Sequence, residues 1–504
     1  MADSSDEDHD IWIRSYILKM NKMKKTLYFL ILFPFFLASC SEDWIDLKPT
    51  TQVVSLEAIK NLVDADYAVN GIYSTLQSYE YYGARMQYYA DVTGDDMQAT
   101  GTNKRSSQFY MMINNTDNVY TSLWAMPYRV MRYANNILTQ IDGLQVTPAE
   151  EAKKNDIKGQ ALALRALALF DLTRVYGSTY QKDNGASLGA CIITEPVGPK
   201  YMPERSTVSQ CYSQVISDLT TAIPLLKETK NDGKINRWAA KTLLSRVYLY
   251  KGDNDNSLLQ AEEAITGARS NGYRLWTNTE YASATAAWKS KFTPEVLFEV
   301  VNTVSDRAGN NGIAYLMLRS GYNDIVLTEA FLNLLGEDPA DVRHGLTKLE
   351  TSSSSYNKTR PVYLLKYTGP DTDVRNANIP IIRISEAYLN AAESAVKLEN
   401  NDKAIQYLDP IVKRANPANT VEGTTVTLEQ VIKERRKEFV GEGHRQFDAM
   451  RNNETITRTG GWHVSGLIEE VKSYDRDYFH AILPIPRYEM DANNNMEQNP
   501  GYSR

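Results

Sequence analysis

The stretch AAKTLLSRVYLYKGDNDNSLLQAEEAITGA, residues 239–268, decides the fold. Apolar residues recur at helical spacing on both sides of Gly252, which predicts two helices, residues 238–250 and 257–268, joined by a short turn. The positions that face or fill the space between them hold Leu244, Ser245, Tyr248, Ser257, Ala261 and Ala264. Small side chains at such positions let two helices approach closely, so the stretch predicts an antiparallel helix pair.

The same pattern returns near the C-terminus. Residues 383–398 and 402–415 form a second predicted pair, with Tyr388, Ala391, Ala392, Ala404 and Leu408 at corresponding positions. Other helices are predicted over residues 56–77, 123–141 (broken near its start by Pro127), 152–176 (ended by Gly177), 207–226 and 428–451. The spacing is tetratricopeptide-like, so we expect a mainly α fold, a scaffold of such pairs with long irregular insertions and a few short strands.

Two segments interrupt the helices, residues 79–118 and 272–372. Both are rich in Gly, Asn, Ser and Tyr, and they contain short β-like pieces such as residues 295–301. Loops this long in a compact domain usually carry function. The chain has 32 Tyr and 7 Trp against 12 Phe. Tyr and Trp combine an apolar face with a polar tip, which suits wet binding surfaces, so the insertions are candidate binding regions.

The N-terminus has the pattern of an export signal. Lysines between residues 22 and 25 precede the apolar run LYFLILFPFFL, residues 27–37, which is shorter than the roughly 20 residues that span a bilayer. The next residues complete the sequence LASC, which resembles the lipobox of bacterial lipoproteins. We therefore expect residues 1–39 to be removed and Cys40 to carry a lipid. The alternative is an ordinary secretory signal followed by a cysteine by chance.

Two details concern the ends of this signal. Residues 1–19 carry acidic groups that a signal does not need, so translation is expected to start at Met20 or Met23. After the lipidated cysteine, residues 41–43 (SED) resemble the acidic surface-export signal of Bacteroidetes lipoproteins. The sequence thus predicts an outer-membrane protein, lipid-anchored and exposed at the cell surface, whose single mature domain spans residues 40–504.

Composition narrows the function classes. A net charge of −7 argues against a nucleic-acid partner, which requires a basic footprint. Apart from the lipidation site, the chain has two cysteines, Cys191 and Cys211. We expect them to be buried free thiols rather than a disulfide. His344, His444 and the histidines further along are scattered without metal-ligand spacing. No cofactor is indicated; calcium among the Asp- and Asn-rich loops is possible, but no EF-hand is present.

Five blocks in the mature chain are distinctive. They are LWAMPYRVMRYANNIL (residues 123–138), RALALFDLTRVYG (165–177), IPIIRISEAYLNAAE (379–393), RRKEFVGEGHRQFD (435–448) and LPIPRYEMDANNNMEQNPGY (483–502). Together and in this order they resemble the SusD/RagB family of outer-membrane nutrient-binding lipoproteins. The resemblance covers essentially the whole mature chain, with an N-terminal SusD-like part at about residues 42–230 and a C-terminal SusD/RagB part at about 231–504.

The resemblance implies both a fold and a function. The fold would be about four tetratricopeptide-like helix pairs that support a more variable ligand-binding face. The partner would be a SusC-like TonB-dependent transporter, over which the lipoprotein sits as a lid. The usual cargo in the family is a glycan, although some relatives take peptides.

The most charged block invites a catalytic interpretation. Arg435 and Glu438 are three residues apart, and His444 and Asp448 four, so on the single helix predicted for residues 428–451 each pair meets on one face. A histidine oriented by a carboxylate resembles a general base, but no Ser or Cys nucleophile lies nearby. We favour an ion-pair network that locks the helix to its neighbours.

Two arginines inside otherwise apolar helices belong to the same interpretation. Arg165 and Arg383 would be buried ion-pair partners of Glu386, Glu393 or Glu438, and the sequence leaves the choice open. Carboxylates elsewhere invite an enzymatic alternative, since residues 95 and 96, which follow Gly94, are both Asp. Glycoside hydrolysis requires two carboxyl groups about 5–9 Å apart across a sugar, whereas adjacent residues usually diverge, so a turn or helix-cap role is favoured.

Sugars present C–H faces that stack on aromatic rings and hydroxyls that bind planar polar groups. The predicted ligand-contact residues in the two insertions are Tyr79, Tyr81, Tyr82, Arg85, Asp95, Asp96, Trp288, Tyr315, Arg319 and Tyr322. Core packing is the alternative for each tryptophan, and it is favoured for Trp124, Trp238 and Trp276. The predicted function is non-catalytic glycan binding and delivery to the transporter. The alternatives are a peptide-binding member of the same family, a glycan-degrading enzyme, and a repeat scaffold without a small ligand.

Overall fold

The computed structural model describes residues 18–20, 58–282, 287–349, 361–458, 460, 462–464 and 466–504. The apolar run of the predicted signal, Cys40 and residues 41–43 lie outside the described residues, so their roles stay predictions. Among the described residues, no helix has the length and apolarity needed to cross a bilayer.

Helices dominate the chain, and the expected mainly α class is confirmed. They are α1 Leu62–Gln77, α2 Arg85–Val92, α3 Ser107–Tyr110, α4 Ser122–Ile141, α5 Glu151–Tyr176, α6 Tyr180–Asp183, α7 Val208–Ala222, α8 Arg237–Lys251, α9 Asn254–Ser270, α10 Asn278–Ala282, α11 Ile313–Met317, α12 Glu329–Leu335, α13 Ile384–Lys397, α14 Asn401–Ala415, α15 Leu428–Phe439, α16 Arg445–Arg451, α17 Glu469–Lys472 and α18 Arg487–Ala492. The strands are β1 Met97–Ala99, β2 Val296–Val300, β3 Ile325–Leu327, β4 Thr347–Leu349, β5 Val362–Leu364, β6 Ile379–Arg383, β7 Ile456–Thr457 and β8 Ser473–Tyr474.

The long helices pack in chain order. Helices α1, α4, α5, α7, α8, α9, α13 and α14 each contact the next, so they form the four successive pairs α1/α4, α5/α7, α8/α9 and α13/α14. Consecutive packing of this kind builds one continuous core from units that cannot bury their apolar faces alone. The predicted helix-pair scaffold agrees with this arrangement.

The α8/α9 pair shows why small residues decide the packing. Ser245 and Ser257 are fully buried where the two helices meet, and each hydroxyl donates to the other residue's carbonyl oxygen, at 2.9 and 3.0 Å. Ser394 of α13 donates to the Ser257 hydroxyl at 2.9 Å, which ties in the following pair. Gly252 ends α8 with φ +86°, a left-handed conformation that glycine adopts without strain. The serines therefore satisfy one another where bulkier side chains would separate the helices.

The predicted break at Pro127 is wrong, because α4 runs through it. Pro127 is the sixth residue of the helix, so the missing backbone donor falls near the N-terminal end, where few intrahelical bonds are at stake. The proline ring is also buried, as are Leu123 and Trp124 in the same stretch. Packing of this face outweighs the loss of one hydrogen bond.

The single helix predicted for residues 428–451 is also wrong, since the structure has two helices, α15 and α16, separated by residues 440–444. Gly441 and Gly443 in the gap have φ +80° and +78°, left-handed values that interrupt a right-handed helix. The amide of Gly443 donates to a carboxylate oxygen of Asp91 at 2.7 Å. The break therefore lets α2, in the first insertion, approach the end of α15.

Strands join the two insertions. β1 of the first insertion pairs antiparallel with β3 of the second, with Met97 opposite Leu327, and β3 continues into the sheet order β1-β3-β5-β4. β2 and β6 form a separate antiparallel ribbon, and β2 confirms the β-like segment predicted at residues 295–301. The insertions are therefore one surface structure instead of two independent loops.

The centre of the fold is a buried ion-pair network around Arg383, at the end of β6. Its Nη1 lies 2.6 Å from Glu295 and 2.7 Å from Glu438, while Nε and Nη2 reach the two oxygens of Glu442 at 2.8 and 2.7 Å. Arg414 of α14 adds a second cation, 2.6 Å from Glu438. The side chains of Arg383, Glu295 and Glu438 are at most 1% exposed. An unpaired buried charge is strongly destabilising, so each group requires the others.

The network answers the question of partners that the sequence left open. Arg383 pairs with Glu438, one of the three candidates. The partners predicted for Arg165 are wrong, because Arg165 binds Asp218 of α7 through two hydrogen bonds of 2.8 and 2.7 Å. The other two candidate carboxylates have different partners, namely Arg246 for Glu386 and Arg451 for Glu393. The interpretation of the charged blocks as a locking network is therefore confirmed.

Removing one member of this network should strongly destabilise the folded protein. We expect Glu438→Ala to lower the free energy of unfolding by about 3–5 kcal/mol, because Arg383 and Arg414 are then left buried with too little negative charge. Glu429→Ala, on the same helix but with a side chain 78% exposed, should cause no measurable change. Urea unfolding followed by circular dichroism compares the two variants. Equal stabilities would show that the buried network is not what holds α15 in place.

Candidate functional site

Tyr81 and Tyr82, two of the predicted ligand contacts, lie in the interior. Their side chains are 0% and 4% exposed, and both hydroxyls donate to the same oxygen of Asp171, at 2.6 and 2.7 Å. Asp171 also pairs with Arg174 on α5. This burial disagrees with direct ligand contact. The two tyrosines instead fasten the first insertion to the helical scaffold.

Asp95 and Asp96 are also enclosed. Arg445 lies 2.5 Å from Asp95, and Arg436 lies 2.5 Å from Asp96, so α15 and α16 hold the loop before β1. Burial raises the pKa of Asp95, but the charges of Arg445 and Arg436 outweigh it and bring the pKa to about 2. A glycosidase acid requires a raised pKa, so Asp95 has the wrong electrostatics for that role.

Trp288 is buried as well, in an aromatic cluster with Trp276. The two indole centroids are 5.1 Å apart, and the Lys366 ammonium lies 4.9 Å from the Trp288 ring. Arg383 of the central network lies 5.2 Å from the same ring. The core role favoured for Trp276 is confirmed, as it is for Trp124 and Trp238, all three being buried. Trp288 shares that role, which disagrees with direct ligand contact.

The remaining predicted residues lie at the surface, where the two insertions meet. Tyr79 and Arg85 line a cavity of about 220 Å³ together with Ala84, Tyr88, Arg105, Tyr120, Asn311 and Leu316. We call this cavity the Tyr–Arg groove. Half-buried Tyr315 and Tyr322 stand beside it, and Arg319 is exposed in the turn between them. Five of the ten predicted residues are thus brought together.

Guanidinium groups and tyrosine rings alternate along the groove. The Arg85 guanidinium lies 4.1 Å from the Tyr120 ring centroid and 5.5 Å from that of Tyr79, and Arg105 lies 3.7 Å from the Tyr322 ring. Each such contact contributes about 0.5–2 kcal/mol, depending on desolvation. Tyr315 packs edge-on against Tyr322, with centroids 5.1 Å apart. The rings are therefore held in fixed orientations before any ligand arrives.

Asp324 fixes the two walls of the groove to each other. Its buried carboxylate, just before β3, accepts from the backbone amides of Arg105 and Ser106, both at 3.0 Å, and from the Ser106 hydroxyl at 2.7 Å. The Tyr120 hydroxyl donates to the Arg105 carbonyl at 3.1 Å. These hydrogen bonds join the first insertion to the second beside the aromatic rings of the groove. The adjacent pairing of β1 with β3 holds the same two segments together.

Sequence reasoning missed six of the eight groove residues, among them Arg105, Tyr120 and Asn311. Arg105 lies in the first insertion, within the segment already singled out as functional, but no motif distinguished it. Its Nε donates to Asn311 at 3.2 Å, a contact between residues 206 positions apart. The Tyr richness of the chain was the signal that could have found Tyr120. The pairing of distant loops carries no such signal.

Other reactive groups are placed without catalytic geometry. The His444 ring stacks on Phe439 with centroids 4.6 Å apart, and its Nδ1 has no hydrogen-bond partner among the described residues. Burial lowers the pKa of His444 well below its ordinary range, and the charge of Arg246 adds to this. Asp448, the orienting carboxylate of the disfavoured catalytic interpretation, binds Arg435 at 3.0 Å. Arg435 therefore pairs with Asp448 across the helix break, while Glu438 pairs with Arg383 and Arg414. The Arg435–Glu438 pair is wrong, and the catalytic histidine–aspartate interpretation gains no support.

The thiols and the possible metal ligands form no second candidate site among the described residues. Cys191 and Cys211 are buried free thiols, as expected, and burial raises the pKa of Cys191 to about 11. Within the part of the chain that the structure describes, no group of three or more His, Cys, Asp or Glu side chains is placed to hold a metal ion. The groove is thus the part of this surface where rings and polar groups converge.

A helical-repeat scaffold that carries an aromatic and basic surface groove defines a binding protein. Residues 346–502 match the model of the SusD family, and residues 43–249 match a family described as "Starch-binding associating with outer membrane". The chain belongs to the SusD family, and the resemblance of its sequence blocks is confirmed.

Solved structures agree with this assignment. A Bacteroides vulgatus protein provisionally described as sugar-binding is 46% identical, with a TM-score of 0.83 over 88% of this chain and 100% of its own. A SusD superfamily protein of the same organism is 38% identical, with the same TM-score and coverage. A laminarin-binding SusD-like protein is 23% identical, with a TM-score of 0.70 over 88% of this chain and 100% of its own, which shows a shared fold.

The ion pairs of Asp95 with Arg445 and Arg436 should make the stability of the protein depend on pH. Asp95→Asn should destabilise the protein at pH 7 by about 2 kcal/mol or more, since a pKa of about 2 lies about two units below the ordinary 3.8. A lowered pKa stabilises above the unfolded value, and this contribution is lost as the pH falls through the folded value. The difference between variant and wild type should therefore shrink from pH 4 towards pH 2. Urea unfolding at several pH values measures it.

Asp117→Asn provides the control, because the side chain of Asp117 is 70% exposed in its pair with Arg487. It should show little effect at any pH. A loss for Asp95→Asn that stays constant from pH 7 to pH 2 would contradict the electrostatic explanation.

Proposed function

We propose that this protein is a non-catalytic, lipid-anchored surface protein that binds a glycan in the Tyr–Arg groove and delivers it to a TonB-dependent outer-membrane transporter. The observation that carries the proposal is the set of half-buried tyrosine rings beside guanidinium groups where both insertions meet. Aromatic faces stack against sugar C–H groups, while guanidinium and amide groups bind hydroxyls. Membership of the SusD family supports the same ligand class.

The size of the groove indicates how much of a glycan it holds. Sites that enclose a drug-sized ligand have volumes of about 300–1,000 Å³. The groove has about 220 Å³ and is open on one side. It therefore takes part of a longer chain, with the rest continuing over Tyr315, Arg319 and Tyr322. Binding part of a polymer suits a protein that captures chains and passes them on.

The accessible half of the predicted ligand residues enters this proposal directly. Tyr79, Arg85, Tyr315, Arg319 and Tyr322 contact the glycan. The buried half, Tyr81, Tyr82, Asp95, Asp96 and Trp288, supports the surface from beneath. The proposal thus assigns the two insertions one binding face, and it leaves the helical scaffold to hold that face in shape.

Alternatives are distinguished by specific features. The acid of a glycosidase requires a raised pKa, whereas the pKa of Asp95, the carboxyl considered for that role, is lowered to about 2. A scaffold without a small ligand would have no reason to present four half-buried tyrosines around a cavity. A peptide remains the second candidate cargo. A glycan and peptide array screened with the soluble form that starts at residue 41 separates the two, and chromatography of the incubated glycan reports any cleavage.

The lipid anchor belongs to the mechanism. A tethered binding protein keeps its cargo close to the transporter, so the effective concentration replaces the need for a tight site. Two or more acyl chains on Cys40 would hold the protein stably at the membrane, where one chain is only marginal. Capture and delivery are thereby separate steps with separate sequence requirements.

The groove tyrosines should matter for binding far more than for folding. We expect Tyr79→Ala and Tyr322→Ala each to weaken glycan binding about fivefold or more, since ring stacking contributes about 1 kcal/mol. Both rings are only half-buried, so the melting temperature should change little. Tyr67→Ala is the matched control, because this tyrosine is 71% exposed on α1, outside the groove. Isothermal calorimetry with an array-selected glycan is the measurement; unchanged affinity in both groove variants would refute the site.

Delivery is tested at the anchor. Cys40→Ala should leave the dissociation constant of the purified protein within about twofold, because residue 40 lies outside the two insertions that form the proposed binding face, yet it should abolish growth on the glycan as sole carbon source. Ser39→Ala keeps both the cysteine and a small residue before it, and it should grow like wild type. Normal growth of the Cys40→Ala strain would contradict the delivery step.

A further inference from the structure

We propose that the glycan bound in the Tyr–Arg groove is acidic, and that Arg105 is the residue that recognises its negative charge. The inference rests on the proposed function and adds the chemical class of the ligand. The recognised group is an oxyanion on the sugar ring, either the carboxylate of a uronic acid or a sulfate ester. Three features of the groove support it.

The first feature is the unused donor capacity of Arg105. A guanidinium has five N–H donors in a planar fork. The Nε of Arg105 donates to Asn311 at 3.2 Å, and no described residue accepts a hydrogen bond from its two terminal nitrogens. The side chain is 45% exposed, and its guanidinium carbon lies over the Tyr322 ring, 3.7 Å from the centroid. The fork is therefore oriented by the ring while its terminal donors remain available to a ligand.

The second feature is the poor compensation of the Arg105 charge. The nearest carboxylate, Asp324, lies 3.8 Å from Nη1, beyond hydrogen-bond distance. Asp324 is 0% exposed, and its oxygens already accept from the Arg105 and Ser106 amides and the Ser106 hydroxyl. The negative charge thus lies underneath and the positive charge faces solvent. Lys104, next in the chain, adds a second cation whose ammonium donates to a backbone carbonyl, that of Tyr322, at 3.2 Å.

Arg375 provides a contrast on the same surface. Its Nε and Nη2 bind the two oxygens of Asp373 at 2.7 Å each, and Nη1 binds Asn310 at 2.8 Å. All three of its nitrogens are therefore engaged, and its charge is matched by an adjacent carboxylate. Arg307 shares that carboxylate at 2.8 Å. Arg375 and Arg307 are thus hydrogen-bonded to a carboxylate, whereas the ion pair of Arg105 with Asp324 is 3.8 Å long and leaves the terminal nitrogens of Arg105 without a hydrogen bond to a described residue.

The third feature is the sign of the groove lining. Its eight residues include two arginines and three tyrosines but no Asp or Glu. Arg85 lies across the groove. Its Nη1 donates to the Ser122 hydroxyl and lies 3.4 Å from a carboxylate oxygen of Glu80. The chain as a whole has a net charge of −7, so a cationic groove runs against its overall charge. A positive local potential favours binding of an anionic ligand.

These features assign separate tasks to the rings and the fork. A pyranose ring stacks on Tyr322 or Tyr79, and an equatorial carboxylate or sulfate accepts two parallel hydrogen bonds from Arg105. Bidentate contacts of this kind are shorter and stronger than those to neutral hydroxyls. A neutral glucan retains the stacking and loses the charge-assisted pair. The groove should therefore discriminate by charge more than by ring shape.

The experiment uses the full mature chain without its lipid and three probes: oligogalacturonate for carboxylate, chondroitin sulfate oligosaccharide for sulfate, and laminarihexaose as the neutral glucan. Calorimetry at 50 and 300 mM NaCl should give at least tenfold tighter binding of one acidic probe than of the neutral one, with a clear loss at high salt. Arg105→Gln should reduce binding of that acidic probe at least tenfold and weaken binding of the neutral probe by a clearly smaller factor, since only the hydrogen bonds to neutral hydroxyls are lost there. Arg487→Gln, at an exposed pair outside the groove, should change neither.

The outcomes separate the two levels of the proposal. Preference for oligogalacturonate assigns a carboxylate, and preference for the chondroitin probe alone assigns a sulfate. Tighter binding of laminarihexaose, or acidic binding that survives Arg105→Gln with an unchanged melting temperature, overturns the acidic class while leaving glycan binding intact. Failure of Tyr322→Ala to affect any bound glycan overturns the groove itself, and the acidic assignment with it.

Discussion

The structure depends on the burial of one positive charge, that of Arg383. A guanidinium removed from water requires carboxylates on several sides, and here they come from the start of β2, from α15 and from the loop after α15. Replacing such a network by apolar groups is often neutral for stability, whereas breaking it is not. The arginine therefore specifies which elements meet, because only one arrangement brings Glu295, Glu438 and Glu442 to it. The four helix pairs supply the apolar core, and the network fixes how the C-terminal elements close on it.

From this centre a chain of contacts leads to the groove. Two glycines end α15 and reorient the backbone, so Arg436 on α15 and Arg445 on α16 reach the carboxylates that precede β1. β1 pairs with β3, and Asp324, directly before β3, binds the loop that carries Arg105. Each step is an interaction between a scaffold element and an insertion, or between the insertions. The recognition surface thus inherits its geometry from the buried charges.

The helical scaffold could be predicted from the sequence because helix pairing depends on residues that are close together in the chain. Small residues at helical spacing, as at Ser245 and Ser257, predict close helix contact, and most helix bounds agree within a few residues. Where the prediction failed, a tertiary contact had overridden a local signal, as when packing carried α4 through Pro127. The residues of the groove could be predicted only in part. Tyrosine in a long insertion looks the same whether it faces solvent, like Tyr79, or donates to a buried carboxylate, like Tyr81, since that depends on partners about 90 residues away.

The position of Asp324 has a consequence for how such a protein changes over generations. Because the two insertions are bonded at β1, β3 and this carboxylate, the loops beyond those points are free to lengthen, shorten or exchange residues without disturbing the helices. A few substitutions among the exposed side chains then suffice to retune which polymer is held. Variation is therefore expected in the exposed loops, while β1, β3 and Asp324 keep the two insertions joined.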